Sequence, residues 1–251
     1  MADLTIMKGA EPWGADGDET GVLFIHGFTG TPQSLRYWAE QVAADGRTVL
    51  LPRLPGHGTT VQDLQNTKAS EWVAEAEMSL QGLFERCERV FVCALSFGGT
   101  ISLDLAARFR EQIAGLVLVN PSVYTRDPRA KLKPILGRLP LVVNAVGNDV
   151  ADPNTQELAY TKTPTKAAAQ VLTFMDVVRA RLGSVTSPLL VMTSRQDHIV
   201  DPGNGPYVID HVASKQKELI WLERSYHVAP IDHDKDLIVE RTNTFIKEQS
   251  A

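Results

Sequence analysis

Three residues of this chain have the types, order and surroundings needed for hydroxyl-nucleophile chemistry. Ser96 lies in Cys93-Ala94-Leu95-Ser96-Phe97-Gly98-Gly99. A β-rich run enters this stretch and a helical pattern leaves it: the strand, sharp turn and helix of a nucleophile elbow. A serine there must take positive φ, which is strained for a residue with a side chain. The positions two before and two after must be small, and Ala94 and Gly98 are. Such a turn exposes the hydroxyl at a helix N-terminus, whose positive end favours developing negative charge. The plainer alternative is a strand-to-helix turn with an incidental serine, because small-x-Ser-x-Gly is a short motif.

A hydroxyl is a weak nucleophile until a base takes its proton. Of the six histidines, His227 follows a late strand, in the loop Glu223-Arg224-Ser225-Tyr226-His227-Val228. A loop in that position opens at the same sheet edge as the elbow, which makes His227 the expected base. The imidazole needs an acid to fix its tautomer. Asp197 ends the loop after the strand-like run Leu189 to Thr193 and falls between Ser96 and His227. Asp201 is the competitor, but its following Pro202 suits a turn or helix start. The oxyanion needs two backbone donors. Phe97 N–H comes with the elbow, and Phe28 N–H comes from His26-Gly27-Phe28-Thr29-Gly30 after an early strand. His26 and the turn Pro55-Gly56-His57-Gly58 are expected to be structural.

These residues need a frame that brings strand ends together. Short apolar runs predict strands at 21–25, 48–51, 90–95, 113–119, 188–193 and 218–222. Helical patterns alternate with them at about 32–44, 70–86, 97–109, 203–212 and 235–247. Thr31 is the expected cap of the first helix, with Pro32 at its first position, and Ser70 the cap of the second. Residues 52–60 read as a loop. Apolar runs of this kind between helices predict an α/β fold, with a mostly parallel sheet covered on both faces. The rhythm breaks between Pro121 and Thr186, where the only strand-like run is the ambiguous Leu139-Pro140-Leu141-Val142-Val143. The expected division is a core of 1–121 and 187–251 with an insertion, 122–186, over the strand ends and helical from about Thr165 to Leu182.

Composition narrows the partners. The chain has 251 residues, 43% of them hydrophobic and 22% charged, and a net charge of -5. That is globular, and it supplies no basic field for nucleic acid. Cys87 and Cys93 form no CxxC and no Cys/His cluster, so they read as reduced core thiols. The N-terminus lacks a basic then apolar leader, and no run reaches the ~18 apolar residues of a membrane span. A soluble, cytoplasmic protein is expected.

Gly21-Val-Leu-Phe-Ile-His-Gly-Phe-Thr-Gly-Thr-Pro32, Leu51-Pro-Arg-Leu-Pro-Gly-His-Gly-Thr59, Glu157-Leu-Ala-Tyr160 and Ser225-Tyr-His-Val-Ala229 together resemble the bacterial monoacylglycerol lipases and related small carboxylesterases of the α/β-hydrolase superfamily, most of all the Bacillus type. The likeness runs from about Gly9 to Lys247. It implies an α/β-hydrolase fold with a lid, and hydrolysis of a monoglyceride to fatty acid and glycerol without metal or cofactor. It also implies Ser96, Asp197 and His227 as triad, Phe28 and Phe97 as oxyanion residues, and Glu157 as the group that binds glycerol hydroxyls. The elbow departs from the family's usual Gly-x-Ser-Met-Gly: Ala94 replaces glycine, and Phe97 puts a bulkier side chain at the mouth of the site. The stretch of about 123–147, where substrate preference is set, matches least.

Pro134 to Val143 is strongly apolar and is flanked by Arg129, Lys131 and Lys133. It reads either as a lid that lines an acyl tunnel and touches lipid surfaces transiently, or as a segment packed on the core. The rival activities are a general carboxylesterase for short- to medium-chain esters, an acyltransferase with the same triad, and a non-catalytic binder on the same fold. Aspartate-nucleophile hydrolases are set aside because position 96 is serine.

Overall fold

The computed structural model describes residues 5–139, 141–145 and 148–250. Residues 1–4, where the absence of a leader was read, lie outside the described residues, as do Pro140 of the ambiguous apolar run and positions 146–147 at the end of the least-matching stretch. A seven-stranded sheet carries the fold. Its strands are β1 (Trp13–Ala15), β2 (Thr20–Ile25), β3 (Thr48–Leu51), β4 (Arg89–Leu95), β5 (Ile113–Val119), β8 (Leu189–Ser194) and β9 (Lys217–Leu222). They lie in the order β1-β3-β2-β4-β5-β8-β9. All neighbours are parallel except β1, which runs antiparallel to β3 at the edge. Between β5 and β8 the short strands β6 (Val142–Asn144) and β7 (Lys162–Pro164) pair antiparallel as a separate ribbon.

The helices are α1 (Gln33–Ala44), α2 (Val61–Asn66), α3 (Ala69–Phe84), α4 (Phe97–Phe109), α5 (Lys133–Leu136), α6 (Thr165–Arg179), α7 (Asn204–His211) and α8 (Lys235–Ser250). Each sheet face buries one of two apolar layers. Val22, Phe24, Phe91 and Cys93 meet α1 and α8 through Leu35, Trp38, Ile238 and Phe245. Leu23, Ile25, Val92 and Ala94 meet α3 and α4 through Trp72, Leu80 and Ile101. This is why the strands read as unbroken apolar runs: a parallel sheet is covered on both faces. None of the described helices is long and apolar enough to cross a membrane.

The local expectations fail where tertiary contacts take over. Thr31 does not cap α1: its hydroxyl donates to the Leu158 carbonyl, 2.9 Å away. Ser70 does not cap α3, which starts at Ala69. Instead Gln170 of α6 accepts the Ala69 N–H at 3.0 Å and donates to the Thr67 carbonyl at 3.1 Å. Helix α2 was not expected, although Thr60 accepts the Asp63 N–H at 3.1 Å, a Thr-x-x-Asp start visible in the sequence. β1 was also not expected, because three residues show no periodicity.

The chain passes from β2 outward to β3 and returns to β4 on the other side of β2. This reversal is a switch point, where a crevice opens outside the carboxyl ends of the strands. Ile25 of β2 is in register with Ala94 of β4, so the loop at 26–28 and Ser96 leave adjacent strand ends.

Candidate active site

Ser96 occupies the turn between β4 and α4 with φ +56° and ψ −120°. The strain persists because the main chain is held on both sides. Ser96 N–H donates to the Val119 carbonyl at 3.0 Å, and its own carbonyl accepts Gly99 N–H at 2.9 Å and Ser122 N–H at 3.3 Å. Gly98 is obligatory: a Cβ there would lie 2.1 Å from the Ile25 carbonyl oxygen. Gly27 lets the neighbouring loop close in, since a Cβ there would already lie 3.3 Å from Ser96 Cβ.

His26 shapes that loop from beneath. Its Nδ1–H donates to the Gly27 carbonyl at 2.9 Å, and its Nε2 accepts the Leu54 N–H at 3.1 Å. A trans peptide sends its C=O and N–H to opposite sides, so the bond to Gly27 turns Phe28 N–H away from His26. Among the described residues neither Phe28 N–H nor Phe97 N–H meets an acceptor. Burial, aided by nearby His57, pushes His26 down to about 3, and burial takes His57 down to about 4. Both rings are therefore neutral and structural, as expected. Phe97 departs from expectation. Its ring does not stand open at the mouth but is buried against Trp72, Phe28 and Phe174, with centroids 5.7 to 6.2 Å apart.

Asp197 and His227 come together in the loops after β8 and β9. Asp197 Oδ1 accepts Ile199 N–H at 2.8 Å and Val200 N–H at 2.7 Å, and Oδ2 takes the His227 Nδ1–H at 2.7 Å. With Nδ1 engaged, Nε2 is the basic nitrogen. Burial is the largest influence on His227 and lowers its pKa. The Asp197 carboxylate, with Glu157 and Asp149 adding, overrides it and leaves His227 above its ordinary value. Asp201 is elsewhere, accepting Gly203 N–H at 2.8 Å and pairing with Arg126 at 2.7 Å.

Two residues that the sequence reading passed over hold this loop pair. Asn120, buried at the end of β5 with φ +46°, donates to the His227 carbonyl at 2.8 Å and accepts Ser194 N–H at 2.7 Å. A lone asparagine after a strand carries no local signal of that role. The other is Asp149, whose carboxylate accepts the His227 N–H at 3.1 Å.

Ser96 and His227 line one cavity of about 300 Å³. Gly27, Phe28 and Phe97 border it beside Ser96. Val171, Leu172, Met175 and Val200 make an apolar part, while Asn148, Asp149 and Glu157 make a polar one. Burial raises Glu157 to about 6, with His227 opposing and Asp149 adding. Gly30 makes room for this carboxylate, since a Cβ there would lie 2.7 Å from Glu157 Oε1.

Comparison with known proteins places the arrangement in context. The family described as serine aminopeptidase, S33, matches residues 18–234. A thermostable monoacylglycerol lipase of Bacillus sp. (strain H-257) is 40% identical over 98% of this chain and 98% of its own. The structure of a metagenome-derived lipolytic enzyme superposes with a TM-score of 0.94 at 39% identity, covering 97% of this chain and all of that one. The monoacylglycerol lipase of Paleococcus ferrophilus shares the fold, with a TM-score of 0.80 at 17% identity over 94% of this chain and 99% of that one.

Proposed function

The chain belongs to the serine aminopeptidase S33 family of hydrolases, and from that premise we propose that it is a serine ester hydrolase that cleaves monoacylglycerols to fatty acid and glycerol through an acyl-serine intermediate. The observation that carries this is one cavity bordered by Ser96 at a strained elbow, by His227 with Nδ1 engaged by Asp197, and by both the half-buried carboxyl of Glu157 and apolar side chains. The 40% identity to a monoacylglycerol lipase over almost the whole chain supports the substrate class.

In this reading His227 Nε2 takes the Ser96 hydroxyl proton as Oγ attacks the ester carbonyl carbon. The N–H groups of Phe28 and Phe97 receive the oxyanion, the term that lowers such barriers most. His227 then protonates the departing glycerol oxygen. Water, deprotonated by His227, repeats the sequence on the acyl-serine and releases the fatty acid. Asp197 holds the tautomer and stabilises the imidazolium. Glu157 binds the glycerol hydroxyls: a carboxyl held near 6 by burial can hydrogen-bond a neutral diol in either protonation state. Residues 122–186 act as a lid over the core of 1–121 and 187–251. The segment shows exposed Ile135, Leu141 and Val143 beside Arg129 and Lys131, which suits transient contact with a lipid surface.

The test is steady-state hydrolysis of 1-monolauroylglycerol and ethyl laurate, beside Ser96→Ala and with an aminoacyl anilide as the peptidase control. A clear kcat/KM preference for the monoglyceride is the expected result. Equal rates on both esters would make the protein a general carboxylesterase. Turnover of the anilide alone, or full activity of Ser96→Ala, would refute the proposal.

A further inference from the structure

His227 sits on an irregular loop, five positions beyond the end of β9, and loops place a functional group less tightly than strands do. A displacement of about 1 Å can cost ~10²-fold in rate, so something must fix the main chain of this loop. Asn120 holds its carbonyl from the sheet side. The N–H side is held from the segment between β5 and β8, by Asp149. That residue's Oδ2 accepts both the His227 N–H and the His198 N–H at 3.1 Å. Its Oδ1 lies 2.7 Å from His198 Nδ1, and its carbonyl accepts the Val228 N–H at 3.0 Å. One side chain, 11% exposed, thus joins His227 to the residue that follows Asp197. The preceding Asn148, at φ +55°, accepts the Glu157 N–H at 2.7 Å. Two successive residues therefore connect the polar end of the cavity to the loops of the acid and the base.

We propose that Asp149 is a positioning residue for the ester hydrolysis, fixing the main chain of His227 and of the position after Asp197 so that the base and the segment covering the cavity keep one register. The proposal rests on the assignment of Ser96, Asp197 and His227 as a triad. A buried N–H left without an acceptor is costly, so the loop relaxes elsewhere once the carboxylate is removed. The carboxylate is also a fixed negative charge behind the imidazolium that forms in the reaction. The charged groups facing His227 are Asp197, Glu157 and Asp149, and the His198 ring, with Nδ1 2.7 Å from Asp149, packs edge-on against Tyr226.

The experiment compares Asp149→Ala and Asp149→Asn with wild type on both laurate esters across pH. The expected result for Asp149→Ala is a kcat lower by ~30- to 100-fold on both esters, with KM within about threefold. Asp149→Asn keeps an oxygen that can accept the His227 N–H but loses the charge. It should stay within about tenfold of wild-type kcat, and the acidic limb of its kcat/KM profile should move to lower pH. Wild-type kcat for Asp149→Ala overturns the proposal. So does an effect confined to KM for the monoglyceride, which would make Asp149 a headgroup contact. If the alanine variant does not fold, Asp149→Asn decides alone: an unmoved acidic limb overturns the proposal. Failure of the triad assignment itself is separate, and would show as wild type inert to a fluorophosphonate or Ser96→Ala active.

Discussion

The carboxyl edge of the sheet and the outer part of the segment between β5 and β8 keep their apolar residues under opposite conditions. Around Ser96, residues Val117, Leu118 and Val119 of β5 are fully buried, and the elbow is clamped by main-chain bonds to Val119 and Ser122. In the segment, Ile135 is 58% exposed, Leu141 51% and Val143 50%. The later part of the same segment differs again. Tyr160 OH donates to the Gly56 carbonyl at 2.9 Å and accepts Thr59 N–H at 2.8 Å, and Asp232 accepts the N–H groups of Ala151 and Asp152. The sheet edge is thus held by full burial and by main-chain bonds on both sides of the elbow. The later part of the segment is held by a few polar bonds, and its outer part leaves apolar surface exposed.

Substitutions can sharpen or break this contrast. The largest effect is expected at the elbow: Ser96→Ala should lower kcat by ~10⁶-fold with the fold intact, checked by ester hydrolysis and circular dichroism. Next is Asp197→Asn, which should lower kcat by ~10⁴-fold through loss of the correct tautomer. Asp197 holds His227 above its ordinary value, so the residual activity should extend to lower pH.

Glu157→Gln should act on selectivity rather than on chemistry. The monoglyceride preference over ethyl ester should fall by about tenfold, as for loss of one charged hydrogen bond. Stability should respond as well. Glu157 titrates near 6 when folded and near 4.5 when unfolded. Between those values the native state holds a proton that the unfolded chain has lost, so stability declines as pH rises through that window. The Gln variant escapes this decline and should be more stable by about 1–2 kcal/mol at pH 8, with no gain below pH 4.5 in urea titrations. The smallest stability effect is expected at the segment's outer surface. Ile135→Ser should change unfolding free energy by less than about 0.5 kcal/mol yet reduce binding to monoglyceride-containing vesicles in a flotation assay. A large loss of stability there would show that the segment is packed on the core after all.

The strands and the long helices were legible because their signals are local. Val22 to Ile25 and Val90 to Leu95 are apolar without interruption, and α1 buries Leu35, Trp38, Ala39 and Val42 at helical spacing. The elbow was legible for a similar reason, since steric need writes small residues around Ser96. The loops of Asp197 and His227 could be placed because each follows a recognisable strand. Thr31 and Ser70 misled because a cap can be supplied from elsewhere, as Gln170 supplies that of α3. Phe97 was expected at the mouth, but the partners that bury it come from α3, α6 and the loop after β2.

The sequence by itself determined the α/β class, the parallel order of short apolar strands, and the position of Ser96, Asp197 and His227 after strand ends, because each follows from the types of residues adjacent in the chain. The tertiary structure alone decided which groups meet across long separations: Asn120 and Asp149 on the main chain of His227, Gln170 on the start of α3, and Glu157 in the space left by Gly30. Those contacts depend on three-dimensional closure, and a single asparagine or aspartate in a loop has no neighbouring pattern to announce the partner it will find.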